Sequence, residues 1–500
     1  MKSRLWGGKA LTLALFSVSI CACGSNFPFG HRQATGNSLE TSADPQVRAF
    51  YRLQQGNAAW DKKSEQALIE IINQAPTNGL KPDLFLKQPI SKDTREASLT
   101  AAALKYASAL ARGIADPAKL YPDYTIPRPN PDLAAGLAQA IKAGRLKEWY
   151  ASLPPQTDEY LALSQAHLRY LTLAAKAKPS SIPEGKSIKP GHRDERVPFV
   201  AAALVAEGYL SAPPADLSQR YSPAIAGAVK QLQADWGMQP NGVVDNKTIA
   251  VLNAGPAALA RQLAINLERL RWLDRTPPDT RIDVNTAAAF LDYWRGGQHI
   301  DHREVVPGEP DKPTPQLQSP LFQLVANPKW RVPDSIAGKE LSTKSQSWLQ
   351  ENDFVVEDGK YVQQSGEKNS LGLVKFDLED KQQIYLHDTP AKALFALPER
   401  HRSHGCVRVQ NALQFASMLA MQDDIADKFE QAMSSGDENY VKLRTDIPVR
   451  LIYHTAFLTG DRVTFRADVY GWDDQVAKAL GLVRAASGGA AQQQAGDVGP

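Results

Sequence analysis

The sequence predicts a multi-domain α+β protein: a helical first part, a small all-helical unit, and a β-rich second part that holds the reactive residues. Three observations predict it. The chain has 500 residues, more than one ordinary core serves, so roughly two to four domains are expected. Apolar residues recur at helical spacing from Asp44 to Trp272. From Arg281 the pattern changes to short alternating segments parted by proline-rich turns, as in strands.

Composition excludes several classes of function. Net charge is +3, no basic block argues for nucleic acid, and no acidic tail argues for a charge-driven partner. No glycine-rich phosphate loop follows a strand, so no nucleotide cofactor is expected. The first residues read as a targeting segment. Lys2, Arg4 and Lys9 form a positive region, and Ala10 to Ile20 is an apolar run too short for a comfortable membrane span. Ile20-Cys21-Ala22-Cys23 resembles a bacterial lipobox. That resemblance implies a signal peptide over 1–22, a lipid on Cys23 that anchors the chain to a membrane, and the periplasm of a Gram-negative bacterium. Gly24, rather than aspartate, after the cysteine favours the outer membrane. Cleavage elsewhere by the ordinary signal peptidase is the rival reading. Of the three cysteines, Cys21 would leave with the signal and Cys23 would be blocked, so Cys406 would stand alone as a free thiol.

Residues 23–43, rich in Gly, Ser, Asn and Thr, read as a flexible tether. A helical scaffold is expected over 44–190. Asp44-Pro45 is a helix start with a capping side chain and proline at the first turn. Val47, Phe50 and Leu53 give that helix its stripe, and Leu68, Ile71 and Ile72 give the next. Leu99, Ala103, Tyr106 and Leu110 mark a third that ends at Gly113, with further helices at 131–143 and 157–177. A compact helical unit spans 191–255, with Ile225, Val229, Leu232 and Trp236 in one stripe. Its "AVKQLQ", "NGVVDNKT" and "VLN" resemble the small peptidoglycan-binding module, although the turn has Asn241-Gly242 and then Asp245 where that family usually has aspartate-glycine and a second glycine. A connecting helix follows over 256–280 through Leu259, Leu263, Leu267 and Leu270. The β-rich domain is expected over 281–480, with a polar insertion at about 335–364 that reads as a lid. Residues 481–500 are rich in Gly, Ala and Gln and read as disordered.

The chemistry concentrates in Ser403-His404-Gly405-Cys406-Val407-Arg408-Val409. On an extended segment His404, Cys406 and Arg408 share one side, while Val407 and Val409 grip a core on the other. Gly405 permits an unusual backbone angle beside the thiol. Upstream, Tyr385 and His387 share a face and Ile384 and Leu386 the other. A cysteine is nucleophilic as thiolate and needs a base, so a thiol and an imidazole on two strands facing one cleft supply the minimal parts for nucleophilic catalysis. His387, on a separate strand, is the expected base, and His404 orients the site or donates a hydrogen bond. Either the Asp388 side chain or a backbone carbonyl could orient His387. The Cys406 amide and Tyr385 hydroxyl are candidate oxyanion donors. Arg408, with Ser403, is the expected substrate contact. His387, His404 and Cys406 could make a three-ligand zinc site, but the chain lacks Cys-x-x-Cys and His-Glu-x-x-His spacings, and no metal is expected. His299, His302 and His454 lack a pattern and read as surface or packing residues.

The motif then carries a specific resemblance. "IYLHDTP" followed by "RSHGCVRV" resembles the signature of bacterial L,D-transpeptidases. "NPKWRVPDSIA", "SGEKNSLGLVKF", "IPVRLIYHTAF" and "RADVYGWD" resemble the large, lid-bearing periplasmic branch of that family. The resemblance implies Cys406 as nucleophile and His387 as general base, with Tyr385, His404, Gly405 and Arg408 in support. It implies peptidoglycan stem peptides as substrates, no cofactor, and carbapenems as covalent inhibitors. It implies attack on a tetrapeptide stem, release of D-alanine through a thioester, and a 3→3 cross-link between diaminopimelate residues. Many family members have asparagine two residues after the cysteine; this chain has Arg408, as the large branch does. A lipobox departs from that branch, where a membrane helix is usual. Two alternatives stand beside this reading: a hydrolase on the same scaffold, acting as L,D-carboxypeptidase or releasing wall proteins, and an inactive wall-binding scaffold.

Overall fold

The structure, a computed structural model, describes residues 42–87, 94–177, 181–212 and 219–482. The expected signal peptide, Cys23 with its lipid, nearly all of the tether and the tail from 483 lie outside the described residues. Among the described residues no helix is long and apolar enough to cross a membrane.

The chain is a multi-domain α+β protein. Its scaffold contains α1 (Pro45–Leu53), α2 (Lys62–Asn73), α3 (Arg95–Arg112), α4 (Pro117–Leu120), α5 (Leu133–Ala143) and α6 (Leu146–Ser152). The Asp44 carboxylate accepts from the amides of Gln46 and Val47 with proline in the first turn, and Asp61 and Ser64 form a reciprocal capping box on α2. The core gathers Phe50, Tyr51, Leu68, Tyr106, Leu110, Leu137 and Tyr150. The next helix, α7 (Asp158–Lys176), buries Tyr160, Leu163 and Tyr170 elsewhere, against the long helix that follows the small module and against Phe465.

The small module consists of α8 (Val197–Ala206), α9 (Pro223–Asp235) and the start of α10 (Asn246–Trp272). Val200, Leu204, Val229, Leu232 and Ile249 form its core, which also takes in Ile182 and Ile188, ahead of position 191. Helix α10 kinks at Gly255, whose φ of +68° is followed by Pro256. Beyond the kink it is buried on nearly every side, because it runs between the scaffold and the β-rich domain. Its polar residues are paired there. Arg269 Nη1 donates to Asp473 Oδ1 at 2.5 Å, and Asn266 exchanges hydrogen bonds with Thr455 at 2.8 and 2.9 Å. Arg271 reaches Glu268 at 2.6 Å and Tyr160 Oη at 2.9 Å.

The β-rich domain is a closed eight-stranded barrel in the order β1-β11-β4-β8-β9-β10-β3-β2. Its strands are β1 (Arg281–Asn285), β2 (Phe290–Arg295), β3 (Gln298–Val306), β4 (Leu317–Ala326), β8 (Val374–Leu378), β9 (Tyr385–His387), β10 (Val407–Val409) and β11 (Asn439–Ile452). Pairing is parallel at β1/β11 and β9/β10 and antiparallel elsewhere. Val284, Leu291, Leu324, Phe376, Leu386, Val407 and Val409 fill the interior, closed by Phe415 and Leu419 of a helix at Ala412–Gln422.

Between β4 and β8 the chain leaves the barrel and builds the lid: β5 (Trp330–Arg331), a π-turn at Ala337–Leu341, a short helix at Gln346–Glu351, and the hairpin β6 (Phe354–Glu357) and β7 (Lys360–Gln363). It has a core of its own in Trp330, Ile336, Leu341, Leu349, Phe354 and Leu371, and Tyr385 of the barrel packs against it. After β11 the hairpin β12 (Ala456–Thr459) and β13 (Arg462–Phe465) lies on α7 and α10. The last described helix, Asp473–Ala479, inserts Val476, Ala477 and Leu480 into the scaffold core, and Lys81 Nζ donates to the Gly481 carbonyl at 2.7 Å.

Candidate active site

The parallel pairing of β9 with β10 builds the site. Its register sets Val407 opposite Leu386 and Arg408 opposite His387. Leu386, Val407 and Val409 are wholly buried in the barrel core. Strand alternation then puts His387 and Arg408 together on the opposite face. The even alternation expected over 403–409 begins only at Val407. Upstream of it Gly405 takes φ +122°, a conformation other residues rarely adopt, and the chain turns.

That turn is pinned at many points. Ser403 bridges Gly308, and its amide donates to the Pro307 carbonyl at 3.0 Å. The Ser403 hydroxyl donates to the Cys406 carbonyl and accepts from the Gly405 amide at 3.1 Å. Thr314 Oγ1 donates to the Gly405 carbonyl at 2.8 Å, and Tyr470 Oη donates to the Gly308 carbonyl at 2.8 Å. Because a trans peptide points its N–H opposite its C=O, the Cys406 amide is aimed away from Thr314. Ser403, expected as a substrate contact, is fully buried with its hydroxyl engaged inside the turn.

Cys406 is 8 % exposed, under the lid. Burial pushes its thiol up to about 11, and hydrogen bonds from the Tyr385 backbone and hydroxyl offset this in part. Burial, and then the neighbouring Cys406, also hold the Tyr385 phenol well above its ordinary value, so the hydroxyl stays a donor. His387 is wholly buried. Desolvation, followed by the charge of Arg408, keeps its imidazole well below the usual range. His387 Nδ1 lies 2.5 Å from the Asp388 carbonyl oxygen. A carbonyl only accepts, so Nδ1 carries the proton and Nε2 presents its lone pair. Nε2 is buried and has no hydrogen-bond partner among the described residues. The orienting group is thus the Asp388 carbonyl. The Asp388 carboxylate serves the Leu373 amide at 3.0 Å and the Lys392 ammonium. Both shifts favour the uncharged forms, thiol and imidazole.

His404 turns to the lid. Its Nε2 lies 2.5 Å from Glu340 Oε1 on the π-turn, and Lys312 Nζ approaches the same oxygen at 3.8 Å. The structure therefore sets Tyr385 beside Cys406 and against the lid, with the His387 ring 5.7 Å from that of Tyr385 and Arg408 opposite His387, uses Gly405 and Ser403 to shape the turn, and makes His404 a tie between turn and lid. Sequence reasoning missed Glu340, Thr314 and Tyr470. Thr314 was visible only as part of the turn Pro313-Thr314-Pro315, and Glu340 as one acid in a polar insertion.

Residues 279–438 match the family described as "L,D-transpeptidase catalytic domain". Residues 45–166 match a "Scaffold domain", and residues 193–252 a "Putative peptidoglycan binding domain". A Haemophilus influenzae protein named "Putative L,D-transpeptidase" is 29% identical over 244 residues, which cover 44% of this chain and 49% of the relative. The chain thus spans about half the length of that relative. Among solved structures, an L,D-transpeptidase from Mycobacterium smegmatis aligns at 14% identity and a TM-score of 0.21, over 35% of this chain and 58% of its own. A fragment of the Xylanimonas cellulosilytica L,D-transpeptidase aligns at 16% identity and a TM-score of 0.18, over 54% of this chain and 98% of its own. The stretch with Cys406 and His387 thus matches the L,D-transpeptidase catalytic-domain family, and the chain carries it beside stretches that match a scaffold domain and a peptidoglycan-binding domain family.

Proposed function

We propose that the protein is a cysteine-dependent peptidoglycan L,D-transpeptidase. The observation that carries this reading is the wholly buried His387, whose lone-pair nitrogen has no partner among the described residues and whose strand runs parallel to the one that follows Cys406. In the reaction, Sγ of Cys406 attacks the carbonyl between the L-configured centre and the terminal D-alanine of a tetrapeptide stem. His387 Nε2 takes the thiol proton as the S–C bond forms, so charge develops only with substrate bound. The Cys406 amide and the Tyr385 hydroxyl stabilise the oxyanion. The proton on Nε2 passes to the departing amine, D-alanine leaves, and a thioester remains. The side-chain amine of a second stem's diaminopimelate then attacks the thioester. His387 takes a proton from that amine and returns it to the leaving thiolate, which yields a 3→3 cross-link. All the groups used come from the chain, and the cleaved peptide bond supplies the energy of the new one. Cys406 is only 8% exposed, which limits the access of bulk water to the thioester and supports an amine over water as acceptor.

The same reading has the protein work in the periplasm, tethered through a lipid on Cys23, with its small module engaging the wall. Carbapenems would acylate Cys406. The test is mass spectrometry of disaccharide-tetrapeptide incubated with the purified protein and with Cys406→Ala. The expected product is a dimer lighter than two monomers by one D-alanine, formed only with the intact cysteine. Tripeptide without dimer would make the protein a carboxypeptidase. No product, together with no carbapenem adduct, would leave a wall-binding scaffold.

A further inference from the structure

On the outer wall of the barrel, the β2–β3 hairpin holds a second cluster. Asp292 of β2 faces His302 as its cross-strand partner, and Trp294 faces His299. The register shifts between Tyr293 and Trp294, so that Ile300 is an extra residue in β3. This shift decides the geometry. Residues three apart on a regular strand point to opposite faces. The bulge cancels one step of the alternation and brings His299 round to the face of His302 and Asp292. It leaves the apolar Ile300 42% exposed.

The result is convergence on one atom. His299 Nε2 lies 2.9 Å, and His302 Nδ1 2.7 Å, from the same Asp292 Oδ1. The three ligand atoms lie within 4.8 Å of one another. The Trp294 ring meets His299 edge-on at 5.1 Å and the Phe290 ring lies 5.2 Å from His302, so both imidazoles have aromatic supports. The charge around the cluster is otherwise paired. Asp283 is matched by Arg281 and Arg450, Asp301 by Arg303, and Glu304 by Arg400. Among the described residues, Asp292 has two imidazoles as its ion-pair partners in place of a guanidinium.

We propose that Asp292, His299 and His302 bind a divalent transition-metal ion of the zinc class through two imidazole nitrogens and one carboxylate oxygen. Imidazole with carboxylate suits zinc, nickel, copper and iron rather than calcium or magnesium. Metal–ligand bonds of about 2.0–2.2 Å require ligand atoms roughly 3.3 Å apart in a tetrahedral site. The two imidazole–carboxylate distances reach that by opening about half an ångström, with both histidines exposed and Asp292 half-buried. The remaining coordination positions face solvent. The ion pins the outer end of a hairpin whose inner end, Val305 and Val306, pairs with Val409 and Arg408 of β10. This site is separate from Cys406, and its test is independent of the reaction proposed above.

The test uses untagged protein carrying Cys406→Ala, so that the thiol contributes no ligand. The protein is titrated with Co²⁺ and then with Zn²⁺. One equivalent of Co²⁺ is expected to bind with visible ligand-field absorption, which Zn²⁺ abolishes by competition. His302→Ala, His299→Gln and Asp292→Asn, each checked for native circular dichroism, are expected to weaken binding roughly 100-fold or more, beyond the loss seen when residues that only orient ligands are changed. Zn²⁺ should also raise the unfolding midpoint of the protein with the intact cluster and not that of a His299→Gln, His302→Ala double variant. Equal affinity and stoichiometry with and without the three side chains, or no uptake at micromolar metal, would overturn the proposal.

Discussion

Where α10 passes between scaffold and barrel, charged side chains are buried and matched, Arg269 with Asp473 and Arg271 with Glu268, and the neutral Asn266 is matched with Thr455. Under the lid, burial is used the other way. His387 and Cys406 are desolvated together, and the imidazole nitrogen that faces away from the Asp388 carbonyl has no hydrogen-bond partner among the described residues. Burying a charge is tolerable when it is paired, and burying an unmatched polar atom costs stability. The first cluster joins domains. It too leaves nitrogens unmatched, Arg269 Nε and Nη2 and Arg271 Nε, but on side chains whose charge is paired; the second leaves bare the one basic nitrogen of His387, which the proposed reaction uses as its base.

Four changes would break or sharpen this contrast, from the largest effect to the smallest. His387→Gln should leave the fold intact and lower kcat/KM roughly 10²- to 10⁴-fold, the usual worth of a positioned base. An unaffected rate would remove His387 from the reaction. Asp473→Asn should do the opposite, costing about 3–5 kcal/mol in denaturant unfolding because Arg269 is left buried without its counter-charge, while the chemistry at Cys406 in the folded fraction is unchanged. Arg408→Met removes the positive charge beside His387. The imidazole pKa then rises, and the acid limb of the kcat/KM profile, which lies below the ordinary imidazole range in the parent, moves to higher pH. Movement to lower pH would contradict the Arg408 charge as a cause of the lowered His387 imidazole. Glu340→Gln loosens the tie to His404. Alkylation of Cys406 by iodoacetamide should quicken about fivefold, near 1 kcal/mol for a partly exposed pair. In the parent, alkylation should be slow at neutral pH and rise towards pH 11, since the thiol titrates at about 11. A rate already at its plateau at pH 7 would mean a resting thiolate–imidazolium pair.

Much of the architecture was legible because it is local. Asp44-Pro45 starts a helix, and the change of period at Arg281 coincides with the first strand. The alternation around Cys406 and His387 drew attention to both. Three things were not legible, each set by distant partners. The first is the turn at Gly405, which depends on Thr314 about ninety residues upstream, so the even alternation of 403–409 fails there. The second is the Glu340 partner of His404, which sits in an insertion with no periodic signal. The third is the destination of Val476, Ala477 and Leu480. They lie in a helix within the stretch expected as part of the β-rich domain, and their spacing says nothing of which core receives them. The bulge at Ile300 belongs with these. A regular strand would set His299 and His302 on opposite faces, and only the bulge brings them together.

The return of Val476, Ala477 and Leu480 to the scaffold has a consequence for how the molecule is made. The scaffold lies at the start of the chain, yet its core is completed by Ile265 and Trp272 from the middle and by these three residues near the end. Contacts of such sequence separation are slow to form, because the loop between them must be ordered first. The first helices thus wait, incompletely packed and with apolar surface uncovered, until residues 476–480 have docked. The last helix acts as a completion signal: a chain truncated before Asp473 keeps every residue of the cleft and loses the piece that closes the scaffold.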